Sequence, residues 1–93
     1  KAVSKLLATC RSDQTVSYGD NSCPLGNCKQ VNIDGDNSCE GGGCDQTATN
    51  GDNSCPLGNC KQVNTDGDNS CEGGGCTQTN TYGENSCSGG GCN

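Results

Sequence analysis

Residues 55–71 read CPLGNCKQVNTDGDNSC, and the same frame stands at residues 23–39 as CPLGNCKQVNIDGDNSC. Between them, residues 39–55 keep the frame with other fillings, CEGGGCDQTATNGDNSC. Working outward, Cys23, Cys28, Cys39, Cys44, Cys55, Cys60, Cys71, Cys76, Cys87 and Cys92 are spaced alternately by five and eleven. The unit is therefore 16 residues, and two alternating sub-types give a larger period of 32. Repetition this strict marks an array in which each unit packs on its two neighbours alone.

Sixteen residues are too few for a pair of helices but suit one turn of a β-helix with two strands and two tight corners. One corner is C-x-x-G-x-C, with glycine at 26, 42, 58, 74 and 90; the other is the x-Gly step at 19, 35, 51, 67 and 83. Asn-Gly and Asp-Gly steps favour the positive φ of tight turns. The expected fold is all-β: a disulfide-rich β-solenoid (β-helix) of about five 16-residue coils over residues 14–93, with an N-terminal cap over residues 1–13. In the cap, Ala2, Val3, Leu6 and Leu7 are spaced to lie on one side and cover the end of the solenoid, whose open strand edges otherwise recruit other chains.

Composition agrees. Only 27% of the 93 residues are hydrophobic, eleven are cysteine, and Phe, Trp and Met are absent, so an ordinary apolar core cannot form. Cysteine usage this high points to an oxidising, extracellular destination and a secreted protein. With Lys1 first and no apolar leader, the sequence reads as a mature form whose signal peptide has been removed. No segment is long and apolar enough to span a membrane. A net charge of −6 with five basic residues argues against nucleic-acid binding, which draws its affinity from clustered Lys and Arg.

Along a strand, side chains alternate in and out. If Cys28 points inward, so do Gln30 and Asn32, and the next coils repeat this with Gln46 and Ala48, Gln62 and Asn64, and Gln78 and Asn80. The outward positions are then Thr15, Ser17, Val31, Ile33, Thr47, Thr49, Val63, Thr65, Thr79 and Thr81, a two-column grid of small, mostly β-branched residues. Asp20, Ser22 and their counterparts down to Glu84 and Ser86 face out on the other strand, which makes one face acidic and leaves the other nearly chargeless. The inward Gln and Asn can stack as amide ladders along the axis.

Grid spacings of roughly 4.8 Å between coils and 6.6 Å along a strand approximate the oxygen repeat on ice planes. On these positions the chain resembles the hyperactive insect-type antifreeze proteins, whose cysteine-stapled Thr-x-Thr β-solenoids adsorb to ice. The resemblance spans residues 14–93. It implies ice as the partner, ice binding by the ten grid residues and thermal hysteresis as the activity. The match is incomplete: that family has shorter repeats with cysteine between the two threonines, where this chain has Val16, Asn32, Ala48, Asn64 and Asn80. The grid is also mixed, with V-x-I or V-x-T alternating with T-x-T.

Two other readings compete. D-G-D-N-S, with Asp34, Asp36, Asp66 and Asp68, looks like part of an acidic calcium loop, but no carboxylate closes it; Asx turns beside glycine explain the same residues. A purely structural secreted repeat protein is the second. C-x₄-C also allows thiolate metal binding, yet histidine is absent and solenoid regularity favours disulfides. Neither an enzyme, a metal nor a cofactor is expected, and the chain is read as a monomer, with a disulfide-linked or face-to-face dimer as the alternative. Two disulfide schemes fit the spacing: 23–28, 39–44, 55–60, 71–76 and 87–92, which leaves Cys10, or 28–39, 44–55 and onward with Cys10 joined to Cys23, which leaves Cys92. The short pairing is preferred, though spacing alone does not choose.

Overall fold

The computed structural model describes residues 13–93. The cap proposed for residues 1–13 and the place of Cys10 therefore lie outside the described residues, apart from Asp13. Ten strands alternate long and short: β1 (Asp13–Tyr18), β2 (Asn21–Ser22), β3 (Lys29–Asp34), β4 (Asn37–Ser38), β5 (Asp45–Asn50), β6 (Asn53–Ser54), β7 (Lys61–Asp66), β8 (Asn69–Ser70), β9 (Thr77–Tyr82) and β10 (Asn85–Ser86). The long strands form one parallel sheet in the order β1-β3-β5-β7-β9, and the short strands form a second, β10-β8-β6-β4-β2. Every pairing is shifted by one 16-residue repeat, as in Gln30↔Gln46 and Gln46↔Gln62, so equivalent residues stand in straight columns. This is a β-solenoid of about five coils.

Inward columns fill the space between the sheets; besides the mixed one of Asn32, Ala48, Asn64 and Asn80, three are uniform. The first is sulfur: disulfides join Cys23–Cys28, Cys39–Cys44, Cys55–Cys60, Cys71–Cys76 and Cys87–Cys92, closing the five-residue spacing within each coil. The second is glutamine, with Gln30, Gln46 and Gln62 fully buried. Each Gln Nε2 donates to the Oε1 of the preceding coil's Gln at 2.8–2.9 Å and to a narrow-sheet carbonyl. The third is asparagine, running through Asn21, Asn37, Asn53, Asn69 and Asn85, with the Nδ2 of each of the first four donating to the following coil's Oδ1 at 2.8–2.9 Å. The two amide ladders thus run in opposite directions, and their dipoles oppose one another. They satisfy polar groups whose unpaired burial costs about 1–3 kcal/mol each. Apart from corner glycines, Ala48 is the one buried residue among those described that is neither cysteine nor an amide.

Both corner types need glycine for steric reasons. Gly67 has φ +148°, and a Cβ there collides with the carbonyl oxygen of Gly51 in the coil above. At the other corner the 32-residue period acquires its cause. Asn27 and Asn59 sit at φ 61° and 64°, where the alternate coils have Gly43 and Gly75. A Cβ on Gly43 comes 2.8 Å from Asn27 Oδ1, and one on Gly75 comes 2.8 Å from Asn59 Oδ1. Likewise a Cβ on Gly41 or Gly73 strikes the backbone of Leu25 or Leu57. A bulky P-L-G-N corner must therefore stack on a bare G-G-G corner.

Candidate functional site

The broad sheet presents three outward columns, and strand geometry places every one of the ten grid residues there. Gln and Asn in each long strand are buried while their odd-numbered neighbours are not, as in the pattern of β3, with Lys29 and Ile33 exposed and Val31 half-buried. The middle column runs Thr15, Val31, Thr47, Val63, Thr79, with its threonines exposed and its valines half-buried. The outer column, Ser17, Ile33, Thr49, Thr65 and Thr81, is exposed throughout. Ladders beneath and β-branched side chains above hold this plate rigid before anything binds.

The nearly chargeless face expected from the sequence is corrected by the third column. Asp13, Lys29, Asp45, Lys61 and Thr77 stand beside the valine and threonine column on the same sheet, in register and alternating in sign over the first four. A shallow trough lies between coils there, lined by Lys29, Asp45, Gln46, Thr47, Lys61 and Val63. Lys29 and Lys61 are the cations of the described chain.

The opposite margin of the plate is acidic. Asp20, Asp36, Asp52, Asp68 and Glu84 form a column in which each of the first four carboxylates accepts, through Oδ1, the backbone N–H of the next member at 2.9–3.1 Å. Half of each of those carboxylates is thus spent on the backbone, the Asx-type role that the D-G-D-N-S motif allowed. Sulfurs of neighbouring bridges also approach closely: Cys39, Cys44 and Cys60 Sγ lie within 4.8 Å of one another. All three are closed in disulfides, which offer no thiolate to a metal.

Asp34 and Asp66 of the D-G-D-N-S motif belong to one further column, which also carries the two tyrosines. Tyr18, Asp34, Asn50, Asp66 and Tyr82 are paired in register along the margin between the plate and the acidic edge. The sequence carries the signal for this column, since these two tyrosines are the chain's whole aromatic content and both occur at x-Gly corners.

A family model described as the secreted RxLR effector protein RXLR-C08 C-terminal domain matches residues 15–93. No curated protein and no solved structure matches the chain. The match covers the solenoid from the middle of β1 onward and identifies the chain as part of a secreted protein. It overturns the antifreeze resemblance, and with it ice as partner and thermal hysteresis as activity for Thr15, Ser17, Val31, Ile33, Thr47, Thr49, Val63, Thr65, Thr79 and Thr81. The physical reason for the mistaken inference is plain. A regular grid of β-branched residues follows from parallel in-register strands whatever they bind, and here the grid alternates exposed threonine with half-buried valine and is flanked by charge.

Proposed function

The chain belongs to the family of secreted RxLR effector C-terminal domains, and from that premise we propose that it works without catalysis, as a rigid scaffold that binds a host protein through its broad sheet. The carrying observation is the division of labour along each long strand. Gln30, Gln46 and Gln62 are consumed by the interior ladder, while the side chains of Thr47, Thr49 and Thr65 beside them are exposed. A plate ordered in advance loses little conformational freedom on docking. Its extent, roughly 20 Å along the strands and 19 Å across five coils at standard strand dimensions, suits a small interface of the transient class.

The charges on the plate supply orientation. Lys29 and Lys61 flank Asp45 on the trough side, whereas the far margin carries carboxylates alone, so a partner with the wrong polarity meets like charges. The trough on the broad sheet is lined by Lys29, Asp45, Gln46, Thr47, Lys61 and Val63, a mix of charged, polar and apolar groups suited to a protein surface.

Capture from host extract tests this reading. Thr49→Tyr and Thr65→Tyr together place bulk at mid-plate and should remove a host protein retained by the unmodified chain. Ser54→Tyr, on the narrow sheet, should retain it. Retention by all variants, or loss from the Ser54→Tyr chain alone, contradicts the choice of face.

A further inference from the structure

The two tyrosines are the observation left unused by a protein-binding plate. Tyr18 is 80% exposed and Tyr82 is 68% exposed. In a chain of 93 residues that has no Phe or Trp, both aromatic rings are given to solvent and none to the interior. The sulfur and amide columns leave no interior space for a ring, and the two rings stand on one register column of the surface. A strand requirement does not place them there, because the same register position holds Asp34, Asn50 and Asp66 in the intervening coils.

We infer that this margin is a binding strip for a linear, uncharged, β-1,4-linked pyranose polymer, with Tyr18 and Tyr82 as stacking platforms at its two ends. Register fixes the geometry. The tyrosines are four coils apart on one straight column, about 19 Å at the coil rise of roughly 4.8 Å. The rise per sugar in such a polymer is close to the coil rise, so each coil faces about one ring. Successive rings turn over, and rings an even number apart present the same face; platforms four coils apart therefore meet equivalent faces. Between them, Asp34, Asn50 and Asp66 offer planar oxygens that accept hydrogen bonds from sugar hydroxyls. Tyrosine adds a hydroxyl to an apolar body, which suits a ligand with apolar ring faces and polar edges.

Charge selects the polymer class. The strip adjoins the column of Asp20, Asp36, Asp52, Asp68 and Glu84, and the chain carries net charge −6, so polyanionic glycans are repelled while neutral ones are not. The inference does not rest on the protein-binding role of the broad sheet, and the two fail separately: the strip is lost with the tyrosines and the plate with Thr49 and Thr65.

Tyrosine fluorescence is a direct reporter, because no tryptophan obscures it. Titrating the oxidised full chain with cellohexaose, and in a parallel arm with the corresponding N-acetylglucosamine hexamer, should change the emission of both rings. The trimers, reaching one platform, should bind roughly tenfold more weakly, the loss expected for one aromatic contact of about 1.4 kcal/mol. Tyr18→Ala and Tyr82→Ala should each weaken hexamer binding by a similar factor, leaving circular dichroism unchanged. Leu25→Ala, at the opposite corner, should alter nothing. Whichever hexamer binds identifies the sugar. No response to either hexamer, equal affinity for hexamer and trimer, or tyrosine variants that bind like the unmodified chain overturns the inference. So does an oligolysine that quenches where both sugars fail, since it assigns the strip to a cationic protein segment.

Discussion

Gln46 donates from Nε2 to Gln30 Oε1 at 2.9 Å, and the same nitrogen donates to the carbonyl oxygen of Ser54 at 2.9 Å. One amide thus ties its own coil to the coil before it and the broad sheet to the narrow one. In most domains of this size such cross-bracing comes from apolar side chains; here it comes from hydrogen bonds shielded from water.

Gln46→Ala should accordingly cost about 3–5 kcal/mol, combining the lost side-chain volume with the unpaired Gln30 Oε1 and Ser54 carbonyl. Gln78 makes equivalent bonds to Gln62 Oε1 and Ser86 O at 2.9 Å, but its surroundings are partly open to water. Gln78→Ala should lose about 1 kcal/mol. Urea unfolding of the two oxidised variants checks the ratio, and equal losses contradict a ladder whose strength depends on burial.

Ala48 interrupts a column in which Asn32 and Asn64 each donate Nδ2 to two backbone carbonyls, those of Gly19 and Asp36 and of Gly51 and Asp68. Ala48→Asn should supply the missing donor to the third coil and raise stability by about 1 kcal/mol, the net worth of a buried hydrogen bond. The gain is limited because Asn32 and Asn64 Oδ1 are buried without a partner, a cost the new residue repeats. A lower melting temperature for the variant contradicts this account of the column.

Gly67→Ala and Gly90→Ala separate two kinds of glycine requirement. At Gly67 a Cβ collides with Gly51 O, an atom of a neighbouring coil's backbone. At Gly90, φ is +82° but nothing lies within 4 Å of the added carbon. The first variant should fail to form the five native disulfides on oxidative refolding. The second should fold with a loss of about 1 kcal/mol, the cost of a left-handed non-glycine residue. Thiol titration after refolding distinguishes them.

Bridges between residues five apart close short loops, so chain-entropy reasoning gives each about 2 kcal/mol and the five together about 10 kcal/mol. Sums of that size match the whole stability of a small domain. The paired substitution Cys55→Ala, Cys60→Ala should leave a folded, weakened solenoid, whereas complete reduction should abolish the β-sheet circular dichroism. Retention of the full signal after reduction shows that the ladders suffice alone.

Much of this was legible in the primary structure because the repeat imposes it. Cysteine spacing announced the coil length, the x-Gly and C-x-x-G-x-C steps announced its corners, and period-two alternation placed Gln30, Gln46 and Gln62 inside. The reason for the 32-residue period was not legible, since the contact of Asn27 Oδ1 with the space above Gly43 exists only once coils are stacked. Nor was the Asp13, Lys29, Asp45, Lys61 column legible, since its alternating charges become neighbours only when the coils pair in register. Function was least legible of all. Thr47, Thr49 and Thr65 are equally good strand formers on a plate that meets ice or a protein, and a grid of outward side chains carries no mark of its partner.

Site-specific photocrosslinking tests the scaffold reading most directly. A photoreactive residue is placed at Thr49 on the broad sheet in one chain and at Ser54 on the narrow sheet in another, and each oxidised chain is irradiated in host extract. The account predicts a crosslink from position 49 to one host protein, competed away by unlabelled chain, and none to that protein from position 54. Crosslinks from position 54 alone, or none from either position above a reduced and unfolded control, contradict it.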